Sequence, residues 1–269
     1  MLKNFTLGQY YNGNSVIHKL DARFKIVQLI AVITFIFLSG NFYALFLMAA
    51  LILSVILLSK VPVKMYFRNL KMILPIVLFT AVINVLYVGG EEPIFSWWII
   101  NITVSGILNA LFMAFRIILL ILISAVLTYT TTPTELTDAI ESLFKPLKFL
   151  GLAEFVHSFA MMMTIALRFI PTLTDEADKI MSAQKARGAD LENGNIVKKV
   201  KALLPILIPL LFSAIRRADE LADAMDSRCY SGGTARTRMK KLKAKARDYI
   251  SSFVLAALFS GVILINIYL

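Results

Sequence analysis

The chain reads as an all-α integral membrane protein: about five transmembrane helices, with a cytoplasmic or interfacial block of three helices, two of them long, between the fourth and the last. Two observations predict this. Hydrophobic residues fill 58% of the 269 positions and the mean hydropathy is +0.75, a composition suited to a lipid surround. Apolar runs of near span length recur between charged or turn residues. Only residues 131–247 break that rhythm, with helical stretches greasy on one flank and charged further along.

Taken in order, the first apolar run is Lys25 to Leu38, short but extendable through Phe24 and Ser39. After Gly40-Asn41 the chain returns through Phe42 to Leu58. Leu70 to Val88 is the third run, followed by Gly89-Gly90-Glu91-Glu92-Pro93; Ile102 to Tyr129 contains the fourth, and Tyr249 to Tyr268 is the last. Thr132-Pro133-Thr134-Glu135 is a capping box with proline at the first helical position, so a helix starts there and runs toward Pro146. The expected organisation is a membrane domain over 1–130, a cytoplasmic domain over 131–247 with helices near 133–145, 155–188 and 196–229, and a C-terminal transmembrane helix over 248–269.

The net charge of +11 would suggest nucleic acid in a soluble chain, but in a membrane protein it reads through the positive-inside rule. The N-terminal segment carries Lys3, Lys19, Arg23 and Lys25, and the second connection carries Lys60, Lys64, Arg68 and Lys71. The connections at Ser39 to Asn41 and Gly89 to Trp98 hold no Lys or Arg, and the latter adds Glu91, Glu92 and the interfacial pair Trp97 and Trp98. Residues 131–247 hold 19 of the 28 basic residues. A multi-pass protein of the cell (plasma) membrane is expected, with the N-terminus cytoplasmic and the C-terminus extracellular. The polar start predicts no cleavable signal peptide. The basic run Thr237 to Arg247 suits orientation and contact with anionic membrane lipids, and no nucleic-acid partner is expected.

The two long helices share an ending. Shifted by 41 positions, Ala177-Asp178 falls on Ala218-Asp219, Ile180 on Leu221, Ala183 on Ala224, and Ala186-Arg187-Gly188 on Ser227-Arg228-Cys229. At 1.5 Å per residue each helix is about 50 Å long, with kinks expected at Pro171, Pro205 and Pro209. The first half of each is apolar on one flank, through Phe155, Phe159, Met163 and Leu167 in one and Leu203, Ile206 and Leu210 in the other. The distal halves are charged. An arginine at a helix C-terminus complements the helix dipole; a matched pair of such arginines also fits two plugs, because guanidinium offers a planar fork of donors to a partner's groove.

These tips carry a resemblance. Two cytoplasmic helices ending in an Ala-Arg-Gly-like tripeptide, behind four membrane spans and ahead of a last one, resemble the transmembrane T component of energy-coupling factor transporters. The run from Gly8-Gln9-Tyr10 to Ser15-Val16-Ile17-His18-Lys19-Leu20-Asp21-Ala22-Arg23-Phe24-Lys25 is similar to that family's opening segment, which usually has a proline where Ala22 stands. Ala186-Arg187-Gly188 matches the family motif in full; Ser227-Arg228-Cys229 keeps the arginine and a small residue before it. The resemblance implies a non-catalytic scaffold of an ABC-type importer, joining two cytosolic ATPase subunits to a membrane subunit that binds a vitamin or a metal ion. Ala186, Arg187, Gly188, Ser227, Arg228 and Cys229 would then meet the ATPases. The greasy flanks, represented by Met161, Met162, Met163, Leu203, Ile206 and Leu210, would meet the substrate-binding subunit.

The reactive residues set other classes against this one. There is no G-x-x-x-x-G-K-[ST] loop, no H-E-x-x-H, and no His, Cys or Asp cluster at metal spacing, so neither cofactor nor metal is expected. A membrane enzyme acting on lipid is the alternative and would need acids or histidines converging at the membrane surface. A permease with its own substrate path would want more polar residues within its spans than Arg116, Asn84 and Asn109. His18 and His157 suit surface or interface roles. Cys229 is the single cysteine, which excludes an intrachain disulfide. Arg116, a charge within a span, has either a functional or a packing role.

Overall fold

The computed structural model describes residues 10–87, 93–97, 100–146, 153–189, 196–230 and 244–268. Lys3, the loop of Gly89 to Glu92, Trp98, the turn at Asn193-Gly194-Asn195 and most of the basic run from Thr237 lie outside them. Within the described residues the helices are α1 (Ala22–Leu38), α2 (Phe42–Ser59), α3 (Val63–Tyr87), α4 (Val104–Thr130), α5 (Pro133–Phe144), α6 (Ala153–Ala186), α7 (Ile196–Asp226) and α8 (Ala246–Tyr268). The all-α expectation holds, with one addition. Between α3 and α4 a short antiparallel hairpin joins β1 (Pro93–Trp97) to β2 (Ile100–Thr103).

The chain divides into two compact units, one of residues 8–139 with 241–269 and one containing residues 140–240. In the first, α4 packs against α1, α2 and α3, and α8 against α1 and α2. Ile36, Ala44, Leu45, Met48, Tyr129 and Val262 are fully buried in its core. α1 and α4 run antiparallel: Lys25 Nζ donates to the Thr130 carbonyl at 2.9 Å, and Arg116 donates to the Ser39 carbonyl. The stretch from Lys25 to Ser39 equals that from Thr130 to Arg116, about 21 Å of each helix. α4 continues beyond the end of α1.

Among the described residues five helices are long and apolar enough to cross a bilayer: α2, Val63–Leu86 of α3, α4, Phe155–Ala186 of α6, and α8. The count agrees with the expectation, but by length and composition the membership differs. α1 has 17 residues, under the ~20 of a full span, while the apolar first half of α6 qualifies it. The role of Arg116 follows from the end of α1. The last carbonyls of a helix lack an intrahelical partner, and here Arg116 takes that of Ser39 while Asn266 of α8 donates to that of Leu38 at 2.9 Å. Arg116 also stacks over the Phe112 ring at 4.7 Å.

At the opposite end of this unit five helix ends meet. Asp21 caps α1 by accepting from the Arg23 N–H at 3.0 Å, and its own N–H donates to Asp248 Oδ1 near the start of α8 at 2.8 Å. Tyr66 of α3 stands edge-on to Tyr129 of α4 at 5.2 Å and bonds Ser59 at the end of α2. The segment before α1 is stapled by His18. Its Nε2 reaches the Tyr11 carbonyl at 2.9 Å, which sets the tautomer, so Nδ1 accepts from the Ser15 hydroxyl at 2.6 Å. A side chain added at Gly13 would approach the His18 ring to 3.0 Å.

In the second unit α6 packs against α7. α5, which reaches into both units, starts where the capping box placed it, with Thr132 Oγ1 accepting from the Glu135 N–H at 3.2 Å. His157 of α6 lies 3.5 Å from the Glu141 carboxylate of α5.

Candidate functional site

The two arginine tips end in the same hydrogen-bonding pattern. At the end of α6 the Gly188 N–H donates to the Lys185 carbonyl and the Ala189 N–H to that of Gln184, both at 3.0 Å. At the end of α7 the Cys229 N–H donates to the Asp226 carbonyl at 2.8 Å and the Tyr230 N–H to that of Met225 at 3.0 Å. Each is a Schellman closure, which needs a left-handed residue after the helix. Gly188 supplies it with φ +86° and Cys229 with φ +56°. The duplication seen in the residues thus extends to the backbone. Arg187, Arg228, Ala186 and Ser227 are all exposed, and nothing lies within 4 Å of where a side chain on Gly188 would point.

Cys229 pays for its position, because a side chain in the left-handed region is strained where glycine is not. Cys229→Gly is expected to stabilise the α7 tip by about 0.5 to 1 kcal/mol, glycine's greater freedom in the unfolded chain offsetting part of the relief. Amide hydrogen exchange at Arg228 to Tyr230 should slow in the variant; faster exchange would mean that the thiol makes a contact worth more than the strain.

Side-chain contacts along the pair show how α6 and α7 lie together. Arg217 donates to Glu176 at 2.6 Å, Gln184 to the Pro205 carbonyl at 3.4 Å, and Tyr230 to Met161 Sδ at 2.7 Å. As residue numbers rise on one helix they fall on the other, so the pair is antiparallel. Glu176 and Arg217 are themselves 41 positions apart. Each tip therefore lies the same number of residues beyond the ion pair, about 16 Å along its helix, and the two arginines sit at opposite ends.

The apolar flanks divide differently from their listing by periodicity. Ile206 is buried at 4% exposure, Leu210 is half-buried, and Met161 is half-buried beneath Tyr230. The outward apolar surface of α7 is instead Leu203, Leu204, Leu207, Ile208, Leu211 and Phe212, joined on α6 by Phe155, Phe159, Met162 and Met163. Of these, Leu204, Leu207, Ile208, Leu211 and Phe212 are not among the representatives chosen from the sequence. Their spacing of three to four was the available signal, but α7 is apolar on both faces there, and periodicity does not say which face turns inward.

In the first unit, α1, α2, α4 and α8 enclose a cavity of about 370 Å³. Its floor is apolar, with Val32, Leu51, Ile123 and Val126. Of the polar groups that line it, Lys25 bonds the Thr130 carbonyl and Gln28 bonds Ser251. Among the described residues no group of three His, Cys, Asp or Glu could hold a metal ion.

Fold and tips together define a multi-pass helical membrane protein with an antiparallel, arginine-tipped helix pair. The family model described as cobalt transport protein (CbiQ) matches residues 13–240. A Clostridium kluyveri protein named energy-coupling factor transporter transmembrane protein EcfT is 51% identical over 94% of this chain and 93% of its own length. Proteins of the same name from Ruminiclostridium cellulolyticum, at 47% identity with coverage of 99% and 98%, and from Lactococcus lactis, at 42% with 98% of each, are similar throughout. The chain belongs to this family of transporter transmembrane components. A lipid-modifying enzyme finds no support in these relatives.

Proposed function

We propose that the chain is the non-catalytic membrane scaffold of an energy-coupling factor importer, holding two ABC-type ATPase subunits and a membrane subunit that binds a vitamin or a metal ion. The observation that carries this is the doubled tip: two exposed arginines, in the same Schellman geometry, at opposite ends of one antiparallel pair. That spacing suits two equivalent grooves on two similar partners, and a guanidinium suits the carboxylates and carbonyls of such a groove. Ala186, Gly188, Ser227 and Cys229 keep the tips slim enough to enter. ATP hydrolysis belongs to the partners in this reading. The apolar outer faces of α6 and α7, with Met162, Met163 and Leu203 among the residues assigned to it, receive the substrate-binding subunit, and Met161, Ile206 and Leu210 support them from within.

The protein lies in the plasma membrane with its N-terminus cytoplasmic. Supporting this, the end of the first unit where α1 begins, α2 ends, α3 begins and α4 ends carries Lys19, Arg23, Lys60, Lys64 and Arg68. The expected result on purification is a complex with two ATPases and a separate small membrane protein, and labels at Gly233 that react only after the cells are permeabilised. A chain that purifies alone with both partners coexpressed would overturn the scaffold, and labelling of Gly233 in intact cells the orientation.

A further inference from the structure

The contacts of Gln184, Tyr230 and Arg217 between α6 and α7 have a division of labour. Inside an α-helix the Pro205 carbonyl would accept from the backbone N–H four residues on, but that residue is Pro209, which has none. The orphaned acceptor is taken by the side-chain amide of Gln184, one turn before Arg187 on the other helix. The proline does more than bend α7: it frees an acceptor on the apolar half of α7 for the tip of α6. The converse contact lies at the other end. Tyr230, two residues past Arg228, places its hydroxyl on Met161 in the apolar half of α6. Between the two lies the Glu176–Arg217 ion pair.

From this arrangement we propose that Gln184 and Tyr230 are positioning residues of a crossed linkage, tying each arginine tip to the apolar half of the opposite helix about the Glu176–Arg217 pair. The proposal rests on the scaffold reading above and specifies how it transmits motion. Without cross-ties, displacement of a tip would bend only its own helix beyond the prolines inside it. With them, a tip moved by its ATPase carries the neighbouring helix's apolar half as well, so both outer faces shift together. Packed interfaces then pass that shift on as a change between discrete arrangements.

The test uses the full complex in proteoliposomes, reading substrate uptake per ATP hydrolysed. Tyr230→Phe removes only a hydroxyl and Gln184→Ala only an amide, and neither removes an arginine or a backbone group that closes a tip. ATPase subunits should stay bound and hydrolysis continue, while uptake per ATP falls about five-fold for each, the worth of one hydrogen bond. Pro209→Ala gives the Pro205 carbonyl a backbone partner, so Gln184→Ala should cost nothing further in that background. A purely structural role for Gln184 would show the same loss with and without Pro209. Full coupling in the Tyr230→Phe, Gln184→Ala double variant overturns the linkage and leaves the scaffold standing. Absence of bound ATPases from the wild-type complex overturns the scaffold itself.

Discussion

The Arg187→Ala, Arg228→Ala double variant is expected to release both ATPase subunits and abolish uptake, while each single variant should lose one attachment and keep the other. If each guanidinium fills a groove on its partner, truncation leaves buried acceptors unpaired and costs about 2 to 5 kcal/mol at that contact. If each arginine only complements its own helix dipole, the loss stays below about 1 kcal/mol and appears as fraying of the tip. Both arginines are exposed within a closed Schellman turn, which favours the first outcome, since that turn already satisfies the carbonyls of Gln184 and Lys185 and of Met225 and Asp226. ATPase copurification and uptake at matched membrane levels decide between them. Normal uptake by the double variant would remove the tips from the coupling mechanism.

Asp248→Ala is expected to destabilise the membrane unit by about 3 to 5 kcal/mol, at two charge-assisted hydrogen bonds of about 1.5 to 3 kcal/mol each. The carboxylate is 1% exposed and serves two helices. Oδ2 accepts from the Lys245 N–H at 2.7 Å, the half of a capping box that an acid at the third helical position provides, and Oδ1 accepts from the Asp21 N–H at the start of α1. Alanine leaves the buried Asp21 N–H and the part-buried Lys245 N–H without their acceptor. Asp248→Asn keeps one acceptor oxygen and should cost about half as much. Thermal unfolding in detergent measures the loss, and protease cleavage before Ala22 locates it. A melting curve for Asp248→Ala that overlays the wild type would show that water replaces the carboxylate.

Much of this was legible in the residues. Thr132-Pro133-Thr134-Glu135 placed the start of α5, because a capping box is local chemistry needing no partner. The 41-residue echo placed the ends of α6 and α7 at equivalent points for the same reason. Neither Asp248 nor Arg116 could be assigned that way. Asp248 acts on Asp21, and Arg116 on Ser39, each far away in the chain, and an isolated charge in an apolar run carries no address. The hairpin before α4 also escaped notice, lying between two apolar runs long enough to dominate the pattern around it.

By itself the sequence determined that the chain is helical, that it belongs in a membrane, and that it writes one arginine-tipped helix end twice, since each of these follows from composition or from bonds made within a few residues. Only the tertiary structure decided that the two tips point to opposite ends of an antiparallel pair, that Cys229 takes the left-handed turn glycine takes at 188, and that Ile206 turns inward while Leu207 and Ile208 turn out. The first and the last share a physical reason, whereas the turn at Cys229 is closed by backbone bonds within its own helix end. A helix apolar on both faces can bury either, and its neighbour settles the choice. Here that neighbour is fixed by an ion pair at Glu176 and Arg217 and by a carbonyl that Pro209 cannot satisfy.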